Sequence, residues 1–189
     1  TVSAFEFGPA DETSAKLRIN INTFPTNSSK IESNIQSNDY NLDAASNYSA
    51  KGLPALDYIL FHTSQDELII ELADESRVNY MKDCVSDMKS RVDYVVNAWD
   101  TYRNVFVGSE GNDQNSSLSL FFNYFLYDYE QIKRNKFALP AGFATEYGIP
   151  ISMDTSKIEG LYSATSLELI SANLRALEDL YLGVGENGV

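Results

Sequence analysis

The side chains that carry most proton-transfer and metal chemistry in proteins are scarce here. The chain has one histidine, His62, and one cysteine, Cys84. One histidine excludes, within this chain, every site that needs two, including an HExxH zinc helix. One cysteine excludes an intrachain disulfide. A Cys–His nucleophile pair would need His62 and Cys84 together, but they fall in different helical segments with no supporting motif. Cys84 sits inside a strong helical pattern and reads as a small packing residue. Carboxylates remain. Asp57 falls in the first turn of a predicted helix, where the helix dipole already favours a negative charge. Carboxylates alone would suit a hard cation such as calcium or magnesium better than zinc or iron. The expected cofactor is therefore none, or a weakly held divalent cation, with no transition metal and no catalytic residue.

The surrounding composition narrows the field further. The 189 residues are 43% hydrophobic and 12% aromatic, enough to fill a core, and carry a net charge of −13. Such a field repels phosphate backbones, and no basic stripe offsets it, so nucleic acid is not an expected partner. It also disfavours anionic membrane surfaces, and no transmembrane segment is expected. Asn27, Asn47 and Asn115 head glycosylation-type triplets, a pattern that arises readily by chance in loops rich in Asn and Ser.

The elements that must position these groups read as helices. Residues 8–51 are rich in loops. They contain Gly8-Pro9 and Pro25, a short helix over Glu12 to Asn22, and another after Thr26-Asn27-Ser28 that includes Ile31 and Ile35. Gln36 to Lys51 is polar and turn-like. A helix starts near Pro54, which has no N–H to leave unpaired, and runs through Leu56, Ile59, Leu60 and Phe61. Ser64-Gln-Asp-Glu67 has the pattern of a capping box. Val78, Met81, Val85, Met88, Val92, Val95, Trp99, Tyr102 and Phe106 then alternate at spacings of 3 and 4, an apolar heptad seam that no strand produces. Gly108 closes it. A helix from Asn115 or Ser116 carries Leu118, Phe121, Phe122, Phe125, Tyr129 and Ile132 and stops before Pro140. Thr165-Ser-Leu-Glu168 is a second capping-box pattern, opening a helix with Leu167, Ile170, Leu174, Leu177 and Tyr181 that ends at Gly183. The expected fold is all-α, an antiparallel helical bundle with its seam aromatics in the core. The expected organisation is one helical region over 1–189, with residues 1–63 rich in loops and residues 64–189 forming the long-helix bundle. Thr1 to Phe7 reads as the end of a helix, and Gly183, Gly185 and Gly188 as a flexible tail, so the chain is expected to be part of a longer protein.

One segment resembles a known family. Lys51-Gly-Leu-Pro-Ala-Leu-Asp-Tyr-Ile-Leu-Phe61 is similar to the signature of imelysin-like bacterial envelope proteins, whose G-x-H-x-x-E motif aligns with Gly52, Leu53, Pro54, Ala55, Leu56 and Asp57. Phe5 to Pro9, Leu17 to Pro25 and Ile158 to Ser163 resemble further family segments. The resemblance implies an all-helical protein of two related bundle halves. It also implies a binding site near Gly52, Pro54, Asp57, Glu159 and Ser163, with the motif at a helix start facing a concave surface. Members include a protein described as an insulin-cleaving metallopeptidase and others associated with iron uptake, many in the periplasm or anchored to the outer membrane as lipoproteins.

Where that chemistry would occur, this sequence departs from the motif. His and Glu at i and i+3 share a helix face and could hold a metal together. Here the His position is Pro54, which has no donor atom, and the Glu position is the shorter Asp57. His62, five residues beyond Asp57, is not on the same face. The expectation is therefore a non-catalytic envelope protein linked to iron uptake, periplasmic or anchored to the outer membrane, with a lipid anchor on sequence ahead of Thr1. It would bind a small ligand, a metal complex or an envelope partner protein. The alternatives are a metallopeptidase, which would need a metal, an activated water and a base, or a purely structural helical scaffold.

Overall fold

In the computed structural model, residues 17–111, 113–114, 116–146 and 148–184 are described. The expectations at Thr1–Phe7, Gly8-Pro9, Glu12, Asn115, Gly185 and Gly188 lie outside the described residues. The elements run α1 (Leu17–Ile21), α2 (Ser28–Ser37), a 3-10 helix (Ala45–Ala50), α3 (Gly52–Phe61), α4 (Gln65–Glu71), α5 (Glu75–Gly108) and α6 (Ser117–Gln131). A π-helical segment (Ile132–Ala138), β1 (Thr145–Glu146), β2 (Ile149–Pro150), a 3-10 turn (Thr155–Lys157) and α7 (Ser166–Leu182) follow. The fold is all-helical, and the one strand pair among the described residues is two residues long, with Thr145 opposite Pro150 and Glu146 opposite Ile149. The chain divides into two compact units, Thr1–Phe121 and Phe122–Val189.

In the first unit, α1, α2 and α3 pack against α5. Each helix starts where its sequence supplies a cap. The Asn27 side chain accepts the Lys30 N–H at 3.0 Å, and Asn38 closes α2 in the left-handed region with its own N–H on the Asn34 carbonyl. Ser64 Oγ accepts the Glu67 N–H, and Asp74 caps α5 by accepting the Ser76 N–H at 2.9 Å. The buried faces follow helical spacing: Ile31, Asn34 and Ile35 on α2, and Ala55, Tyr58 and Ile59 on α3. Each fully buried Ile contributes roughly 1.5–3 kcal/mol.

The 34-residue α5, about 50 Å long, corrects the reading of its seam. Its buried residues are Arg77, Tyr80, Cys84 and Arg91, while Val85 is 50% exposed and Tyr102 45%. The face turned inward lies one residue, or about 100°, from the apolar heptad. Polar partners on α2 and in the segment 40–51 select it, because Arg77, Asp87 and Arg91 find ion pairs there that an apolar face could not offer. Aromatic residues placed in the core by their spacing are half-exposed in several cases, Phe122, Tyr129 and Tyr181 among them. The polar stretch from Gln36 to Lys51 is also more than a turn. It contains the 3-10 helix, and Asn47, Ala50 and Lys51 are buried.

In the second unit, α6 passes into a wider π turn, with the Leu139 N–H reaching back five residues to Arg134 O at 2.8 Å. The π segment packs on α7. The second capping box does not form. Thr165 has ψ 16°, not the extended value a cap needs, and its hydroxyl pairs with Ser163 Oγ at 2.8 Å. Gly183 ends α7 in the left-handed region, with the Val184 N–H on Asp179 O at 2.9 Å.

Candidate functional site

Gly52 opens α3 under tight constraint. Its φ is +74°, and a Cβ there would lie 2.4 Å from the Ile21 carbonyl oxygen. The α1 backbone passes so close that only glycine fits. Pro54 is buried in the first turn, and Asp57 is partly exposed one turn on. Leu53 and Phe61 are each 53% exposed, so α3 turns Leu53, Asp57 and Phe61 outward at positions i, i+4 and i+8. The outward face is therefore apolar with a carboxylate set into it.

The segment leading into α3 is fastened to α5 atom by atom. Tyr80 OH donates to the Ala50 carbonyl at 2.6 Å. The Lys51 ammonium, fully buried, lies 3.2 Å from Asp87 Oδ2 and 5.5 Å from the centre of the Tyr48 ring. The Gly52 N–H stands close enough to the buried Cys84 thiol to oppose the rise that burial causes. Asn34 Nδ2 donates both to Tyr80 OH at 3.0 Å and to Asn47 Oδ1 at 2.9 Å. Arg91 Nε donates to both Asp87 oxygens at 3.0 Å, and its Nη2 to Asp43 Oδ1 at 2.6 Å. Burial pushes the Cys84 thiol up to about 12 and the Tyr80 phenol to about 12. Burial lowers the Lys51 pKa, and the Asp87 carboxylate opposes that shift. A thiol in this state is not a nucleophile. Asn47 is buried and hydrogen-bonded on both amide atoms, which removes it as a glycosylation acceptor.

The histidine lies in a separate ring of contacts. His62 Nδ1 faces the Tyr58 carbonyl at 2.9 Å and Nε2 faces Glu71 Oε1 at 3.3 Å. Arg77 bridges Glu71 at 3.5 Å and Glu32 at 2.7 Å, and Tyr58 OH donates to Glu32 at 2.9 Å. His62 and Cys84 thus belong to different networks.

The remaining two predicted residues stand in the second unit. Glu159 is buried, with Lys136 Nζ of the π segment at 2.7 Å, and Lys136 also donates to Asn173 of α7. Gly160, at φ +62°, packs against Thr165 Oγ1 and Leu169, and Ser163 Oγ lies 3.5 Å from Gly160 O. The structure thus groups Gly52, Pro54 and Asp57 on one helix, and Glu159 and Ser163 in one turn. Sequence reasoning missed Lys51, Tyr80, Asp87, Arg91, Asn34 and Asn47. A signal was present: 77, 80, 84, 87 and 91 repeat at 3 and 4, the same heptad spacing one residue ahead of the apolar seam, but with Arg77, Asp87 and Arg91 among them.

The motif donors do not fit a transition-metal site. Pro54 supplies no donor atom, Asp57 supplies one carboxylate, and Glu159 is neutralised by Lys136. Among the described residues, no three His, Cys, Asp or Glu side chains are grouped to hold a metal ion. No helix among them is long and apolar enough to cross a membrane.

Fold and site together define an all-helical protein whose first unit packs a glycine-opened motif helix against one long helix. A family model described as Imelysin matches residues 1–188, and the chain belongs to that family. No curated protein and no solved structure matches.

Proposed function

We propose that this protein is a non-catalytic binding member of the Imelysin family, acting in the bacterial cell envelope in connection with iron uptake. The observation that carries the reading is the outward face of α3. It presents Leu53 and Phe61 with Asp57 between them, while the position that would hold a metal-ligating histidine is the buried Pro54. Apolar surface with an embedded carboxylate suits a ligand with an apolar body and a positive charge, such as a cationic metal complex. The net charge of −13 favours the approach of such a cation. The family resemblance supports the link to iron, and with it a periplasmic or lipid-anchored outer-membrane location.

The test is calorimetric titration with two probes, a cationic ferric trihydroxamate and zinc. Saturable trihydroxamate binding that is lost on Asp57→Ala supports the proposal. Tight one-to-one zinc binding with peptidase activity, both lost on Asp57→Ala, would overturn it in favour of a metallopeptidase. Binding of neither probe leaves the structural scaffold as the better account.

A further inference from the structure

Two successive residues ahead of the motif are held by two α5 side chains. Tyr80 takes the carbonyl of Ala50, and Asp87 pairs with the ammonium of Lys51. Residues 80 and 87 are seven apart, so they lie on one helix face, with the buried Cys84 between them. Both are themselves oriented from behind. Asn34 donates to the Tyr80 hydroxyl, which leaves that proton free to point at Ala50, and Arg91 fixes the Asp87 carboxylate with two hydrogen bonds from Nε. From the opposite side the Ile21 backbone closes on Gly52.

This arrangement is a poor way to obtain stability. Burying the Lys51 ammonium costs desolvation that apolar residues of like volume would avoid. What the Tyr80 hydrogen bond and the Asp87 ion pair supply that apolar packing cannot is a fixed partner atom, and the hydrogen bond adds a preferred length and angle. We infer that Tyr80 and Asp87 are positioning residues that set the register and tilt of the first turn of α3, and so the orientation of Leu53 and Asp57. The inference rests on the reading above that this turn carries the binding face.

The clamp itself is tested without any ligand, by site-resolved amide hydrogen exchange on the full chain. Pro54 has no amide hydrogen, so the reporters are Gly52, Leu53 and Ala55. Tyr80→Phe removes one hydroxyl and leaves the ring in place. It is expected to speed exchange at the reporters about tenfold, the loss of one net hydrogen bond, while Ile31 and Ile35 of α2 change little. Asp87→Asn removes the charge opposite Lys51 with little change of shape, and it is expected to speed exchange at the same reporters. Acceleration spread evenly over the first unit, or none at the reporters in either variant, would overturn the clamp and leave only general stability.

The same variants are then titrated with the cationic ferric trihydroxamate. Binding weakened in both Tyr80→Phe and Asp87→Asn supports positioning of the binding face. If wild type does not bind the probe while exchange still changes locally, the ligand reading fails and the clamp stands. Wild-type binding that both variants keep, despite local exchange changes, would sink the positioning role.

Discussion

At Gly52, a left-handed φ of +74° coincides with the Ile21 carbonyl oxygen 2.4 Å from where a Cβ would sit. Gly52→Ala must displace backbone, not a flexible side-chain end, and is expected to cost more than about 2 kcal/mol by urea unfolding. Cys84 makes a second residue-scale claim. Its thiol is pushed up to about 12 in the fold from an ordinary value of 9.0. Above the ordinary value the unfolded chain loses that proton and the folded chain keeps it, so stability falls as pH rises from about 9 toward 12. Tyr80 adds to the fall, and Lys51, whose pKa burial lowers, opposes it. Cys84→Ser should flatten the alkaline loss by on the order of 2–4 kcal/mol. Urea midpoints measured across that range check it, and an unchanged slope would show that the thiol is not protected by burial.

Helix ends and helix faces are tested at the scale of the element. Ser64 and Thr165 head identical-looking capping patterns, but only Ser64 accepts an N–H of its helix, and Thr165 turns to Ser163. Ser64→Ala is expected to cost about 1 kcal/mol, and Thr165→Ala less than half that, by thermal unfolding. The rotation of α5 gives a sharper contrast. Tyr80 is fully buried and Val85 is 50% exposed. Tyr80→Ala should cost about 3 kcal/mol or more, and Val85→Lys less than about 1 kcal/mol. The opposite ranking would put the apolar heptad back in the core. The helices were legible in sequence because spacing and end signals are local. Which face of α5 turned inward was not legible, because hydropathy scores Arg77, Asp87 and Arg91 as outward residues until their partners Glu32, Lys51 and Asp43 are in place.

For the whole molecule, charge is the dominant long-range quantity. A net −13 repels itself in the compact state. Raising ionic strength from roughly 0.01 M to roughly 0.15 M shortens the screening length from about 30 Å to about 8 Å. The thermal midpoint followed by circular dichroism should therefore rise with salt. A fall would mean that ion pairs such as Lys51–Asp87 and Arg91–Asp43 outweigh the general repulsion.

The amino-acid order by itself determined the helical class, most helix ends and the glycine-first motif with its proline in place of histidine. These depend on residues within about one turn of each other, or on a short run of letters. The tertiary structure alone decided that Lys51 is buried, that Tyr80 and Asp87 grip the residues leading into the motif helix, and that Asn47 of a polar loop belongs to the core. Each of those depends on partners far along the chain, up to 46 residues for Asn34 with Tyr80. The burial of a polar group becomes tolerable only once its distant partner is fixed beside it.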